Sequence, residues 1–428
     1  MSNMDKIVSL AKRRGFVFPG SEIYGGLANT YDYGPLGVEM LRNIENLWWE
    51  RYVTSRKNIF GIHSSILMNK KVWEASGHVE SFMDALVECK ECHRRFRQDK
   101  LEDTSKCPEC GGEFTDPKMF QGMFKTFIGA TDEDASVTYL RPETAQGMFI
   151  NFKNILQTQR PTLPFGIAQI GKGFRNEITL GNFIFRTLEF DMMEIEYFVS
   201  PDKGEKSFED WKEEMWKWLK DLGVDEKKLK WREHAKDERS HYSKRTEDIE
   251  YEYPFGWGEL YGLAYRTDYD LKKHSEKSGQ DLKYYPEKGD PFYPHVVEPT
   301  YGVNRTMLTL LLDAYHEEDD RVVLKLHPKV APFKAAVFPL LANKEDLVGK
   351  AKEIYESLLG KLSISWDDRG NIGKRYFSQD EIGTPYCITV DFDSLKDDAV
   401  TVRDRDTKKQ ERVAIDKLLG YIENKLEG

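Results

Sequence analysis

The stretch Phe174-Arg175-Asn176-Glu177, a loop containing Thr179-Leu180-Gly181-Asn182, and the return Phe185-Arg186-Thr187-Leu188-Glu189-Phe190-Asp191-Met192-Met193-Glu194 decide how this chain is read. Residues Phe165 to Glu177 and Phe190 to Phe198 have strand character, and the Gly-containing loop between them predicts an antiparallel hairpin. Side chains alternate across a strand, so Arg175 and Glu177 share one face, as do Glu194 and Glu196. Arginine suits phosphate because its planar fork donates bidentately and stays charged. Arg175 and Arg186 on facing strands can therefore grip a triphosphate. The same pattern also fits a surface hairpin with ordinary cross-strand ion pairs, and the residues alone leave both readings open.

Upstream, apolar residues at Leu36, Met40, Ile44, Leu47, Trp48 and Tyr52 follow Pro35 at helical spacing. Residues 86–120 form a Cys-bearing insert. Downstream, residues 200–252 are highly charged, with Phe208, Trp211, Met215, Leu219 and Leu222 at helical spacing, which predicts a helical insert. Pro291 to Thr300 is expected as a strand with Val296, Glu298 and Thr300 on one face, leading through Gly302 into a helix with Arg305 near its start. The Pro-bounded segment from His327 to Pro332 divides the chain into residues 1–330 and 331–428. Beyond it, Ala335 to Leu340, Lys344 to Leu359, Ser363 to Trp366 and Ile388 to Phe392 alternate as strand and helix, and Val413 to Leu426 is expected as a last helix.

At 428 residues the chain exceeds the usual size of a single core. Its net charge of -10 excludes a globally basic nucleic-acid binder, so any RNA must meet local basic patches and no DNA partner is expected. No apolar run approaches a membrane span and the N-terminus has no signal-peptide core, which predicts a cytoplasmic protein. Of five cysteines, Cys89, Cys92, Cys107 and Cys110 form two C-x-x-C pairs separated by fourteen residues, the spacing of a closed, structural zinc site. His93 is surplus to that count and is placed on the surface; Cys387 is expected as a buried strand residue. The run Gly166 to Gly173 approximates a phosphate-binding loop but lacks its Ser or Thr and continues as a strand instead of opening a helix.

The Phe174-to-Glu177 strand with its return from Arg186 to Phe190 resembles motif 2 of the class II aminoacyl-tRNA synthetases. Gly302-Val303-Asn304-Arg305 with its helix resembles motif 3, and the segment around Pro35 resembles motif 1, which builds the dimer interface in that class. Arg141-Pro142-Glu143-Thr144-Ala145-Gln146-Gly147, Trp73 to His78, Pro254 to Leu260 and Arg266 to Leu271 are similar to the glycine-specific branch. The resemblance implies an α+β fold: an antiparallel sheet flanked by helices, with zinc-ribbon and helical inserts and a C-terminal α/β anticodon-binding domain.

It also implies roles. Arg175 and Arg305 would be the catalytic pair, Arg175 at the α-phosphate of ATP, with Arg186 and Arg305 on the γ-phosphate. Glu177 and Phe190 would frame adenine, Asn176, Phe185, Thr187, Leu188, Glu189, Leu260, Val303 and Asn304 would complete the ATP site, and Glu259 and Glu298 would lie near the ATP-bound Mg²⁺. Glu143, Glu194, Glu298 and Thr300 match glycine-pocket positions and Arg97 and Arg266 match substrate-contacting arginines; Phe190, Asp191, Met192, Met193, Pro299, Tyr301 and Gly302 fall in the same segments. Acids suit the α-ammonium group, and larger amino acids must be excluded by crowding. Glycine, its tRNA, a second copy of the chain, ATP with Mg²⁺ and a structural Zn²⁺ are the implied partners and cofactors. Leu188, Thr300 and Asn304 depart from residues common in the family. A non-catalytic synthetase-like RNA-binding or polymerase-accessory protein is the competing reading; it should have lost Arg175, Glu177, Arg186 or Arg305, and all four are present.

Overall fold

Helix α1 (Asn3–Arg14) is capped by Ser2 and Asp5 in a capping box, and α2 (Pro35–Trp49) starts on a proline whose fixed φ suits a first helical position. A computed structural model describes residues 2–98, 101, 103–129, 137–177, 181–240, 242–318 and 321–427. Gly37 lets α2 pass against the preceding chain, since a Cβ there would lie 1.9 Å from the Phe16 carbonyl oxygen.

The main sheet contains β1 (Ile59–Gly61), β2 (Phe165–Phe174), β3 (Glu189–Val199), β4 (Leu229–Glu233), β5 (Arg245–Tyr253), β6 (Gly256–Thr267) and β7 (His295–Gly302), ordered β4-β5-β6-β7-β3-β2-β1. Neighbours are antiparallel except β1 and β2. The expected hairpin is β2 and β3, paired from Phe165↔Phe198 to Phe174↔Glu189. Thr179 and Leu180 of its loop lie outside the described residues. The ladder stops at Phe174 instead of Glu177 because Asn176 N–H donates to Gly122 O of the insert. The run from Gly166 to Gly173 is all strand, so the phosphate-loop likeness carries no site.

The 200–252 segment is helical only in its first half. Helix α3 (Gly204–Asp221) buries Phe208, Trp211, Met215, Trp218 and Leu219 in the main core, and β4 and β5 then extend the sheet edge. Ile249, Tyr251 and Tyr253 point inward while Glu250 and Glu252 alternate between them, a period of two that the high charge conceals. Helix α4 (Tyr269–Ser278) follows β6, and α5 (Val303–Ala314) follows β7 and is buried on most of its surface. The Cys-bearing insert forms a sheet of Met83–Glu88, Arg95–Arg97 and Lys118–Gln121.

The tail is a second sheet: β8 (Ala335–Pro339), β9 (Ile364–Trp366), β10 (Tyr386–Val390), β11 (Ala399–Asp404) and β12 (Gln410–Ala414), ordered β9-β8-β10-β11-β12. Helices α6 (Glu345–Leu358), α7 (Ile372–Ile382) and α8 (Leu418–Glu427) accompany it, and Val337, Leu347, Ile354, Ile388, Val400 and Ile422 share its own core. The expected helix from Val413 is strand at first, with Val413 opposite Val400, and turns helical only at Leu418. Cys387 is buried in β10 as expected. The tail is fastened to the first part by charge: buried Asp380 accepts from Arg321 and Arg403, and Glu381 pairs with Arg13 and Arg14.

Trp48 belongs to the broad apolar face of α2, in the region that the motif 1 resemblance puts at a dimer interface. It is instead fully buried against Tyr52 and Tyr301, because α2 packs across the sheet. Removing it opens a core void: Trp48→Ala is expected to cost about 3–5 kcal/mol, measured as a lower midpoint of chemical unfolding.

Candidate active site

A cavity of about 600 Å³ opens over the face of β3, β6 and β7, between the hairpin and the start of α5. Arg175, Glu177, Phe185, Arg186, Thr187, Phe190, Asp191, Met192, Glu259, Leu260, Thr300, Gly302, Asn304 and Arg305 of the sequence-derived set line it, together with Ile184, Tyr261 and Gly262, which that set lacked. Gly173, cross-strand from Phe190, makes room for that ring, since a Cβ on Gly173 would fall 2.9 Å from it. The Arg175 guanidinium lies 5.3 Å from the Phe190 ring centre while its Nε donates to Pro142 O. Arg305 lies 4.4 Å from the Phe185 ring centre, and donates from Nε to Phe185 O and from NH1 to Glu259 O. Two cations are thus held against aromatic faces with donors left over. Arg305 holds the Glu259 carboxyl below the usual carboxylate range, and Arg186 pairs with Glu177 at 3.7 Å.

Behind this cavity the same sheet face carries a buried charge cluster. Arg266, with no exposed surface, donates from Nε and NH2 to Asp270 at 2.8 and 2.9 Å and from NH1 to Glu298 Oε1 at 2.8 Å. Glu194 Oε2 accepts from Thr144 N at 2.8 Å and from its hydroxyl, and Oε1 accepts from Thr300 at 3.2 Å. Glu143 accepts from Gln146 at 3.0 Å and lies 3.3 Å from His78 Nε2. Burial opposes ionisation of Glu143, but His78, Arg266 and Gln146 together hold it below the usual range. Burial and the Glu143 charge push Glu194 up, and burial, against the pull of Arg266, pushes Glu298 up. In such a cluster the carboxyl groups Glu143, Glu194, Asp270 and Glu298 outnumber the one guanidinium, Arg266, which suits it to receive an ammonium group.

Strand alternation removes some expected residues. Met193, Pro299 and Tyr301 point to the opposite, core face, and Val303 is buried in the core. Their contribution to the site is limited to backbone. Glu298 is committed to Arg266 inside the acid cluster, so of the two expected Mg²⁺-side acids only Glu259 faces the cavity. Arg97 stands on the insert sheet, paired with Asp84 at 2.9 Å, outside the buried cluster. Asn176 and Leu188 serve through backbone: Asn176 N–H reaches the insert, Leu188 N–H donates to Asn29 O, and Leu188 O accepts from Arg175. Glu189 is exposed at the strand start. Asn304 is structural, accepting from Asp191 N at 2.7 Å and donating to the Tyr33 hydroxyl. Among residues not singled out as site members, Thr144, Gln146, His78 and Asp270 complete the cluster; each lies in one of the runs Trp73 to His78, Arg141 to Gly147 and Arg266 to Leu271.

In the insert, Cys89, Cys92, Cys107 and Cys110 bring their sulfurs within 4.8 Å of one another. The Cys89–Cys110 and Cys92–Cys107 sulfurs are 3.4 and 3.7 Å apart, close to the edge of a tetrahedron drawn with Zn–S bonds of about 2.3 Å. His93 is exposed and not part of the cluster.

Residues 124–315 match the class II tRNA synthetase core domain (G, H, P, S and T), and residues 334–425 match an anticodon binding domain. Glycine–tRNA ligase of Clostridium acetobutylicum is 51% identical over 99% of this chain and 98% of its own length. Those of Caldanaerobacter subterraneus subsp. tengcongensis and Streptomyces coelicolor are each 52% identical over 99% of this chain, covering 98% and 99% of their lengths. The chain belongs to the glycine–tRNA ligase family. The class II sheet of the family is the seven-stranded sheet described above, and its tail is the second sheet.

Arg266→Ala leaves Asp270 and Glu298 buried without their cation, which is expected to cost about 3–5 kcal/mol. Arg266→Lys should recover only part, because an ammonium cannot reproduce the bidentate fork. Chemical unfolding of both variants reads the difference.

Proposed function

We propose that this protein activates glycine with ATP to glycyl-adenylate and transfers glycine to the 3′ end of its tRNA. The observation that carries the reading is the adjacency of two sites on one sheet face: the arginine-lined cavity and the buried acid cluster, joined at Thr300, which lines the cavity and donates to Glu194. ATP would lie with adenine against Phe190 and its phosphates toward Arg175, Arg186 and Arg305. Glycine would place its ammonium toward Glu194 and its carboxylate toward the cavity.

Activation is then in-line attack of the glycine carboxylate on the α-phosphate, with pyrophosphate leaving. The chain supplies positioning and charge neutralisation. No protein nucleophile is invoked: the Thr187 hydroxyl donates to Glu189 O, and that of Thr300 serves to hold the Glu194 carboxylate. Magnesium, when bound with ATP, neutralises phosphate charge, and Glu259 is the cavity carboxylate available to its coordination sphere. The non-catalytic reading would require loss of the cavity cations, and Arg175, Arg186 and Arg305 all face the cavity.

The residue 331–428 unit is the tRNA anticodon reader in this proposal. Of its aromatic and basic candidates, Arg375 is buried and donates to the carbonyls of Pro339, Asp368, Arg369 and Gly370, and Tyr376 packs on Phe338. Trp366 packs against Tyr355, while Arg369 and Phe377 remain exposed to meet unstacked bases. A homodimer is supported by exposed apolar side chains next to α2, Ile23, Tyr24, Leu27 and Val38. No helix among the described residues is long and apolar enough to cross a membrane, in keeping with a cytoplasmic site of action.

ATP–pyrophosphate exchange across the twenty amino acids tests the activity, with glycine expected as the dominant substrate. Arg175→Ala should cut exchange by about 10²-fold or more. Glu194→Gln should raise the KM for glycine far more than that for ATP. Exchange without glycine preference, or near-wild-type exchange in folded Arg175→Ala, contradicts the proposal.

The four-cysteine cluster is proposed to hold one structural Zn²⁺ with no open coordination position. Purified protein should carry about one zinc per chain, and Cys107→Ser should lower metal content and loosen the insert to proteolysis. Metal analysis showing neither bound zinc nor uptake under reducing conditions overturns it.

A further inference from the structure

Glu196 is the one member of the sheet-face acids with no evident structural duty. It is fully buried on β3, two residues beyond Glu194 and on the same face, yet neither carboxylate oxygen has a hydrogen-bond partner among the described residues. The β3–β7 register, with Glu194 opposite Thr300 and Tyr197 opposite Val297, places Glu196 across from Glu298. Its other neighbour is Ile167 of β2, part of an apolar cluster with Phe149 and Phe198. Glu196 therefore stands at the floor of the acid cluster, between a second carboxylate and hydrocarbon.

Two buried carboxylates side by side do not both ionise without compensating charge. The groups facing Glu196 are unequal. Glu194 comes from its own strand, Glu298 from β7, Arg266 from β6 and Asp270 from α4, with Glu143 further along the cluster beside His78. Arg266 spends its donors on Asp270 and Glu298 and none on Glu196. Burial first, then the charge of Glu298, pushes the Glu196 carboxyl well above its ordinary range.

We propose that Glu196 and Glu298 share one proton beneath the amino-acid pocket, resting on Glu196, and that the α-ammonium group of glycine expels it to solvent on binding. This makes Glu196 a positioning residue that sets the charge the pocket offers: neutral when empty, ionised when an ammonium group is present. The exchange is one cation for one proton, so net charge in the buried cluster is unchanged and the energetic cost of an unpaired buried charge is avoided in both states. The inference rests on the reading of the acid cluster as the glycine site.

The test uses the full chain. Glycine binding is followed by calorimetry in buffers of different ionisation heat, and the KM for glycine and for ATP is followed by exchange from about pH 6.5 to about pH 8.5. Linkage fixes the sign: binding that releases a proton strengthens as pH rises, so the wild-type KM for glycine should fall with pH, by at most about tenfold per unit. The ATP KM should show no such slope, and calorimetry should report about one proton released per site near pH 7. Glu196→Gln keeps the shape, has no proton to lose and offers Glu298 an amide donor, so both the release and the slope should vanish. Release that persists in Glu196→Gln overturns the proposal, as does a wild type that binds glycine with no release, a result that needs no variant to fold. Glu194→Gln separates the two claims. If it leaves glycine binding intact, the pocket reading is wrong; if it weakens glycine while the wild type releases no proton, only the role of Glu196 is wrong.

Discussion

The fork of Arg266 is the interaction on which the rest of the site depends. It is wholly buried, bidentate on Asp270 and bonded to Glu298, with Phe149 and Tyr242 against its faces. A single guanidinium thereby fixes helix α4 to strands β6 and β7 and keeps several carboxylates within one dry region. Replacing it with apolar residues would be tolerable for a core; keeping it makes sense because an acid-rich interior has a use. That buried interior is rich in carboxyl groups, which favours an ammonium group over a neutral ligand.

Glycine poses a recognition problem of an unusual kind, since it has no side chain to hold. In the proposed function the arrangement would answer it by gripping what remains, the ammonium, beside closely packed carboxylates. Glu194 is locked by Thr144 and Thr300, so it cannot swing aside to admit a bulkier molecule. Thr300, where the family often has serine, keeps the hydroxyl that holds Glu194 and adds a methyl to the pocket wall. At the proposed ATP end the design is looser: Arg175 and Arg305 rest on aromatic faces and donate to backbone carbonyls, Arg186 pairs with Glu177, and these ties leave donor groups free for phosphate.

Both parts of the chain meet at a charged seam. Lys334 donates to the carbonyls of Pro328, Lys329 and Ala331, and Asn43 of α2 donates to Ala331 O as well. Asp380 of α7 gathers Arg321 and Arg403 in the interior. The tail is thus held to the first part by directional bonds together with Ile382 and Phe333, which pack with the main core.

The sequence by itself determined the hairpin, the strand that leads into Arg305, the cysteine cluster and the alternating tail, because each is written in local period, spacing or residue type. It also named nearly every residue of the ATP cavity, since these lie in contiguous runs on strands whose faces alternate. What it misjudged were matters of context. The charged 200–252 run concealed two strands, because surface acids between inward tyrosines look like a solvated helix until a sheet edge is there to receive them. Trp48, in the helical run after the segment likened to a dimer interface, is buried in the core. Only the tertiary structure decided which carboxylates are buried together, which arginine Asp270 and Glu298 share, and that Glu298 faces that arginine and not the arginine-lined cavity. Those outcomes depend on burial and cross-strand register, which bring β3, β6, β7 and α4 together from distant parts of the chain.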